Sequence, residues 1–210
     1  MKTIVIASQK GGAGKTTLAA NLGVMAESCG AGPVALIDTD PQASLAEWWN
    51  VREAITPAFV PATPMELSSK LKALNAAGFK LVIIDTPPAV TDTIRAVITH
   101  ADLVLIPTRP SPLDLRAVGA TVALAEAEGK PMVFVVNGAA NRAKITGEAA
   151  VSLSQHGKVA PVTVFQLTVF ATSMIDGRTA QEIDPTSKAA TDIVALWQYV
   201  ATELSKYVSK

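Results

Sequence analysis

A mostly parallel, twisted sheet with helices on both faces is the α/β architecture this chain predicts, and three features of the sequence carry that expectation. Short β-branched runs alternate with longer helical patterns, as parallel strands joined by crossover helices do. The first run, Thr3-Ile4-Val5-Ile6-Ala7, passes through a glycine-rich turn directly into a helical stretch. Two later runs, Val34-Ala35-Leu36-Ile37 and Leu81-Val82-Ile83-Ile84, each end in an aspartate, and strand C-termini are where open α/β sheets place ligand-binding side chains. A chain of 210 residues with 49% hydrophobic side chains has material for one sizeable core and too little for two. Residues 1–210 are therefore expected to form a single domain.

The elements follow in order. Residues 16–29 form a helix rich in Ala and Leu, stopped by Gly30-Ala31-Gly32-Pro33. After the second strand, residues 43–53 form a helix carrying adjacent Trp48 and Trp49; neighbours on a helix point about 100° apart, so at most one indole is fully buried. Ala58-Phe59-Val60, among prolines, reads as an edge strand. Thr63-Pro64-Met65-Glu66 places an N-cap, a proline at the first helical position and an acid at the third, which predicts a helix ending near Gly78. Residues 79–85 are the next strand. Residues 91–100 read as a helix, Leu103-Val104-Leu105-Ile106 as a strand, residues 113–128 as a helix and residues 131–136 as a core strand ending in Asn137. Further on come a helix over 145–156, a short strand Val162-Thr163-Val164 and a short helix or turn over 168–174. A final helix is started by Asp184-Pro185, with Ile193, Leu196, Trp197, Val200 and Leu204 at helical spacing.

Composition narrows the function classes. Lys plus Arg equals Asp plus Glu at 18 each, so no global charge draws the chain to nucleic acid or membrane, and any such contact must come from a local patch. A lone Cys29 offers neither a disulfide nor a cysteine metal site, which fits a reducing cytoplasm. The apolar start is too short for a signal peptide or a spanning helix, so a soluble protein is expected. His100 and His156 lack metal-ligand companions and read as surface or loop residues.

The chemistry concentrates in residues 8–17, Ser-Gln-Lys-Gly-Gly-Ala-Gly-Lys-Thr-Thr. A strand, a glycine turn and a helix N-terminus in succession cradle phosphate, because backbone N–H groups turn inward and the helix dipole adds positive potential. Gly11, Gly12 and Gly14 let the backbone approach phosphate oxygens closely. Lys15 brings a mobile charge to the β- and γ-phosphates, and the Thr16 hydroxyl is the expected Mg²⁺ ligand. The common spelling G-x-x-x-x-G-K-[ST] would have glycine at Gln9; this chain has instead a second lysine, Lys10, beside the glycines.

That K-G-G-x-G-K-[ST] form resembles the ParA/MinD family of deviant P-loop ATPases, closest to its short ParA members, which carry no helix-turn-helix extension before the loop. The resemblance implies a P-loop NTPase-like fold that binds ATP or ADP with Mg²⁺. Gly11, Gly12, Ala13 and Gly14, followed by Lys15, Thr16 and Thr17, would hold the nucleotide. Lys10 would cross a two-fold interface to the nucleotide of the other subunit. Asp38-Thr39-Asp40-Pro41-Gln42 matches the family's D-x-D-P-Q segment beside the γ-phosphate. There Asp40 would orient or activate the attacking water and Asp38 would partner the metal or Thr16; an Asp-Pro turn capping the next helix is the other reading. Asp85 closes a Walker B strand and would hold Mg²⁺ through water, and Asp85-Thr86-Pro87-Pro88 is similar to the family's sequence before a loop that changes shape with nucleotide. Arg109 either reaches a phosphate or a partner or is a solvated loop arginine. Asn137 either recognises the adenine edge or makes a local backbone turn.

The same resemblance implies a slow, partner-stimulated ATPase, catalytic through Lys10, Lys15 and Asp40, that pairs on ATP and separates on hydrolysis. It would partition or position DNA or another large cargo. Its partners would be a second copy of itself, nonspecific DNA and a small stimulating adaptor of the ParB kind, with the ATP form on the nucleoid. Residues 130–210 hold eight Lys or Arg against six acids, and Arg142, Lys144, Arg178 and Lys188 are candidate phosphate contacts. The alternative is a MinD-like membrane-cycling regulator of division or polar assembly. Against it, the stretch 196–210 is amphipathic but its only basic residues are Lys206 and Lys210, little for anionic lipid, so a core-packing final helix and no stable membrane association are expected. Relatives with an interfacial iron–sulfur cluster or a Cys-x-x-Cys carrier site are excluded by the single cysteine. A biosynthetic amidoligase of the same superfamily would need a substrate pocket for which the chain offers no segment.

Overall fold

The protein, described here from a computed structural model, is resolved over residues 1–88 and 92–206. Seven strands run in the order β3-β2-β4-β1-β5-β6-β7, and β8 adds to β6. Every pairing among the described residues is parallel. The four central strands, β1 (Lys2–Ile6), β2 (Val34–Asp38), β4 (Leu81–Asp85) and β5 (Leu103–Thr108), are nearly continuous runs of buried aliphatic residues, as a sheet covered on both faces requires. β3 (Ala58–Phe59) is a two-residue edge strand. β6 (Met132–Ala139) carries β7 (Lys158–Val159) on its first half and β8 (Val164–Phe165) on its last residues.

Alternation along the strands divides the core in two. Ile4, Ile6, Leu36, Ile83 and Leu105 pack with α1 (Lys15–Ser28), α2 (Ser44–Asn50) and α9 (Lys188–Lys206). Val5, Ile37, Ile84 and Val104 pack on the other face with α3 (Leu67–Ala76), α4 (Asp92–Ile98), α5 (Pro112–Ala127) and α6 (Lys144–Ser154). α7 (Thr168–Ser173) and α8 (Ala180–Ile183) join α9 on the α1 side. Ile193, Leu196, Trp197, Val200 and Leu204 of α9 are all buried, so this amphipathic helix spends its apolar face on the core. Among the described residues no helix is long and apolar enough to cross a membrane.

The architecture agrees with the sequence expectation, with differences at the edges. Trp48 is buried at 2% exposure while Trp49 is half-buried and packs on Phe59, and each indole N–H finds a carbonyl, that of Arg178 and that of Pro57. α3 begins at Leu67 because Glu66 turns back: its carboxylate accepts from the Thr63 N–H and hydroxyl, closing a turn before the helix proper. The final helix starts at Lys188, since the Asp184 carboxylate accepts from the Thr186 N–H and holds a turn there. The expected strand at 162–164 is β8, shifted to Val164–Phe165, and β7 and α8 were not anticipated. Thr91, where a helix was expected to start, lies outside the described residues, as do residues 207–210.

Candidate nucleotide-binding site

The C-terminal ends of β1, β2, β4 and β6 converge on one crevice. Register brings Asp38 of β2 opposite Asp85 of β4, and Asp85 opposite Ile6 of β1. Side-chain hydroxyls pin this edge: Thr39 donates to the Asp85 carbonyl at 2.7 Å and Thr86 to that of Ile6 at 2.9 Å. The glycine loop leaves β1 and enters α1 through Gly14, whose φ of 89° lies in the left-handed region. A Cβ there would also fall 2.2 Å from Nδ2 of Asn137, so only glycine serves.

Around the loop lies a cavity of about 470 Å³ lined by Gly11, Gly12, Lys15, Thr16, Thr17 and Asp40, among others. A second of about 220 Å³ continues from it past Gly12, Gly14 and Arg109 to Asn137, Phe165, Phe170 and Met174. The first is polar and suits phosphates. The second presents apolar side chains beside an amide and suits a nucleobase.

Lys15 is 7% exposed and makes no hydrogen bond among the described residues. Burial lowers its ammonium below the usual lysine range, and the nearby Asp85 and Asp40 charges oppose that. A buried cation without a hydrogen-bond acceptor of its own suits an incoming anion. Thr16 donates its hydroxyl to Oδ2 of Asp85 at 2.5 Å, leaving its own lone pairs toward the crevice. Asp85 is buried and its Oδ1 has no hydrogen-bond partner. Its carboxyl is pushed up to about 7, chiefly by burial, against the Thr16 hydroxyl, with the Asp38 charge raising it further. An orphaned buried carboxylate oxygen beside a threonine hydroxyl fits a hydrated divalent cation. No cluster of three or more His, Cys, Asp or Glu suited to a metal occurs among the described residues, so such a cation would share its shell with phosphates, as Mg²⁺ commonly does.

Of the two partners expected for Asp38, the metal or Thr16, the structure gives the Thr16 hydroxyl to Asp85 instead. Oδ1 of Asp38 accepts from the Asp40 N–H at 2.9 Å and its Oδ2 from Leu45 and Ala46 at 3.0 and 3.2 Å, so Asp38 caps α2. Burial raises the Asp38 carboxyl above the ordinary aspartate range, and those three N–H bonds work against the rise. Asp40 is half-buried at the cavity wall; its Oδ1 accepts from the Gln42 N–H at 2.9 Å. Asn137 donates to the Ala13 carbonyl at 2.6 Å, holding the loop from behind while lining the second cavity. Lys10 is exposed and has no hydrogen bond or ion pair among the described residues. Sequence reasoning missed the wall made by Phe170 and Met174; they lie in a stretch with no phosphate-site motif, and only the tertiary fold brings them to the same cavity as Gly14 and Thr17.

A parallel sheet with this loop at its centre, a buried lysine and a hydroxyl–carboxylate pair defines a P-loop nucleotide-binding protein. Residues 4–180 match the CbiA family, described as the CobQ/CobB/MinD/ParA nucleotide binding domain, and the chain belongs to that family. It is 29% identical over 201 residues, 90% of its own length and 91% of the relative's, to Maintenance of carboxysome distribution protein A of Halothiobacillus neapolitanus. To Protein ParA of Rhizobium radiobacter it is 40% identical over 117 residues, 54% of this chain and 51% of that one. The septum site-determining protein MinD of Pyrococcus horikoshii OT3, solved with Mg-ADP, has the same fold, with a TM-score of 0.81 at 20% identity over 100% of this chain and 99% of the other.

Proposed function

We propose that the chain is an ATP-dependent dimerising switch that positions a large cargo, binding DNA without sequence preference in its ATP form and letting go after hydrolysis. The observation that carries this reading is the division of labour between two lysines on one loop. Lys15 is buried in the wall of the cavity, whereas Lys10, the residue before the cavity-lining Gly11, is exposed with no partner among the described residues. A cation so placed has a reason to exist if a second copy presents its phosphates there, and ATP then joins two chains.

Within one site, the glycine-loop N–H groups and Lys15 bind and orient the triphosphate. When bound, Mg²⁺ would supply charge to the β- and γ-phosphate oxygens, held by the Thr16 hydroxyl and, through water, by Asp85. Asp40 keeps Oδ2 free of hydrogen bonds among the described residues and orients the attacking water. Lys10 of the second copy balances charge on the leaving phosphate. Asn137 and the apolar wall beside it receive adenine.

For DNA, Arg142 and Lys144 are the better of the four candidates. Both are exposed at the start of α6, while Arg178 and Lys188 are engaged by Asp176 and Asp192. The relative named for carboxysome distribution matches along nearly the whole chain, which supports a protein assembly as cargo beside plasmid or chromosome, recruited through a small stimulating adaptor. The test is binding to nonspecific duplex DNA and to anionic vesicles, each with ATP and Mg²⁺ or with ADP. ATP-dependent, salt-sensitive retention on DNA alone supports the reading; retention on vesicles alone replaces it with a membrane-cycling regulator; retention on neither removes the DNA track.

A further inference from the structure

We infer that Arg52 and Glu182 form a positioning pair that holds α2, and with it the Asp40 segment, in register with the P-loop helix. This rests on the reading of Asp40 as the group that orients the attacking water. Arg52, two residues beyond α2, has a side chain only 4% exposed. Its guanidinium is fully occupied. Nε and Nη2 donate to the Thr56 carbonyl at 3.0 and 2.9 Å, Nη1 to that of Gly177 at 2.7 Å, and both terminal nitrogens to Glu182 at 2.9 and 2.6 Å. It also lies over the Trp48 ring, 5.2 Å from its centroid, and Trp48 in turn donates to the Arg178 carbonyl.

The far side of the pair leads to the nucleotide. Glu182 caps α8 by accepting from the Thr179 N–H and hydroxyl. The next residue, Ala180, donates to Oδ1 of the buried Asn21, whose Nδ2 donates to the Thr17 carbonyl in the first turn of α1. The near side leads to Asp40: the N-terminus of α2 is held by Asp38, which also accepts from the Asp40 N–H. α2 is thus held at one end by the carboxylate that orders the Asp40 turn and at the other by a bidentate ion pair tied to the helix that carries Lys15 and Thr16. The D-x-D-P-Q turn is pinned at Thr39 to the Asp85 carbonyl and is followed by Ala43 at φ 55°; the Arg52–Glu182 pair adds the hold at the far end of α2. Bidentate geometry matters here, because an ammonium at position 52 cannot span Thr56, Gly177 and Glu182 together.

The experiment compares wild type, Arg52→Ala, Arg52→Lys, Glu182→Gln and the Arg52→Ala/Glu182→Gln pair, with Asp40→Ala as the benchmark. It measures ATP affinity by direct titration, single-turnover hydrolysis with Mg²⁺, and Trp48 emission in a Trp49→Phe/Trp197→Phe background. Expected are ATP affinities within about threefold of wild type, hydrolysis slowed at least tenfold in Arg52→Ala and less in Arg52→Lys, and a double variant no slower than the worse single one. Trp48 emission should shift in Arg52→Ala while the far-ultraviolet dichroism stays. Wild-type hydrolysis in Arg52→Ala, or losses that multiply in the double variant, overturn the proposal. If Arg52→Ala does not fold, Glu182→Gln, which keeps an acceptor for Thr179, decides it: hydrolysis at the wild-type rate overturns it and a drop at unchanged affinity supports it. Wild-type turnover in Asp40→Ala would instead sink the reading of Asp40, an outcome separate from either result at Arg52.

Discussion

Lys15 and Lys10 stand five positions apart on one loop and meet opposite fates, one buried and one exposed. Replacing Lys15 by Ala removes the buried cation that answers the phosphates, and ATP affinity should fall by at least about a hundredfold, the scale of a lost charge-assisted contact in a dry site; isothermal titration with Mg-ATP checks this. Lys10→Ala should leave that affinity within threefold and abolish ATP-dependent pairing, seen as loss of the dimer mass by light scattering with a non-cleavable analogue. Gly177 is a residue of a different sort. It has φ 75°, and a Cβ would fall 2.4 Å from Cα of Arg52, backbone that cannot swing aside. Gly177→Ala should therefore cost more than about 1 kcal/mol, read as a shift of the urea midpoint without change of slope.

At the scale of elements, the strands were legible because a parallel strand buried on both faces is written as an unbroken aliphatic run, and β1, β2, β4 and β5 are such runs. β7 and α8, two and four residues long, lie below any periodicity and exist because β6 and the Thr179–Glu182 capping box hold them. α9 shows what periodicity can settle. Its apolar stripe was readable, and the structure seats Leu196 and Val200 in the core. Leu196→Ala should lower stability by about 2–5 kcal/mol, measured by chemical denaturation; a loss of vesicle binding without a loss of stability would contradict a packing role for the helix.

At the scale of the whole molecule, the Arg52–Glu182 ion pair binds the C-terminal segments to the P-loop half across 130 positions of chain. Glu182 shows its effect on titration. Burial pushes its carboxyl up, but the Arg52 guanidinium and the Thr179 hydroxyl and N–H outweigh it, so it sits below the ordinary glutamate range. A carboxylate with a folded pKa below its unfolded value adds stability that is present above the unfolded value, about 4.3, and is lost as pH falls through the folded one. Melting temperature should thus decline between about pH 5 and pH 3, and the decline should be shallower in Glu182→Gln than in wild type. An equal slope in both would show that the pair carries none of the acid sensitivity.

The sequence by itself determined the parallel α/β architecture, the phosphate loop and the carboxylates at the strand ends, because each is encoded locally: a run of β-branched residues, glycines where a backbone must come close, an acid after the last buried position. Only the tertiary structure decided that Asp85 and not Asp38 takes the Thr16 hydroxyl, that Asn137 braces the loop through Ala13, and that Arg52 meets Glu182 across 130 positions of chain. Such contacts depend on strand order and on which helix folds over which, and a hydrogen bond between distant segments leaves no period in the sequence from which it could be read.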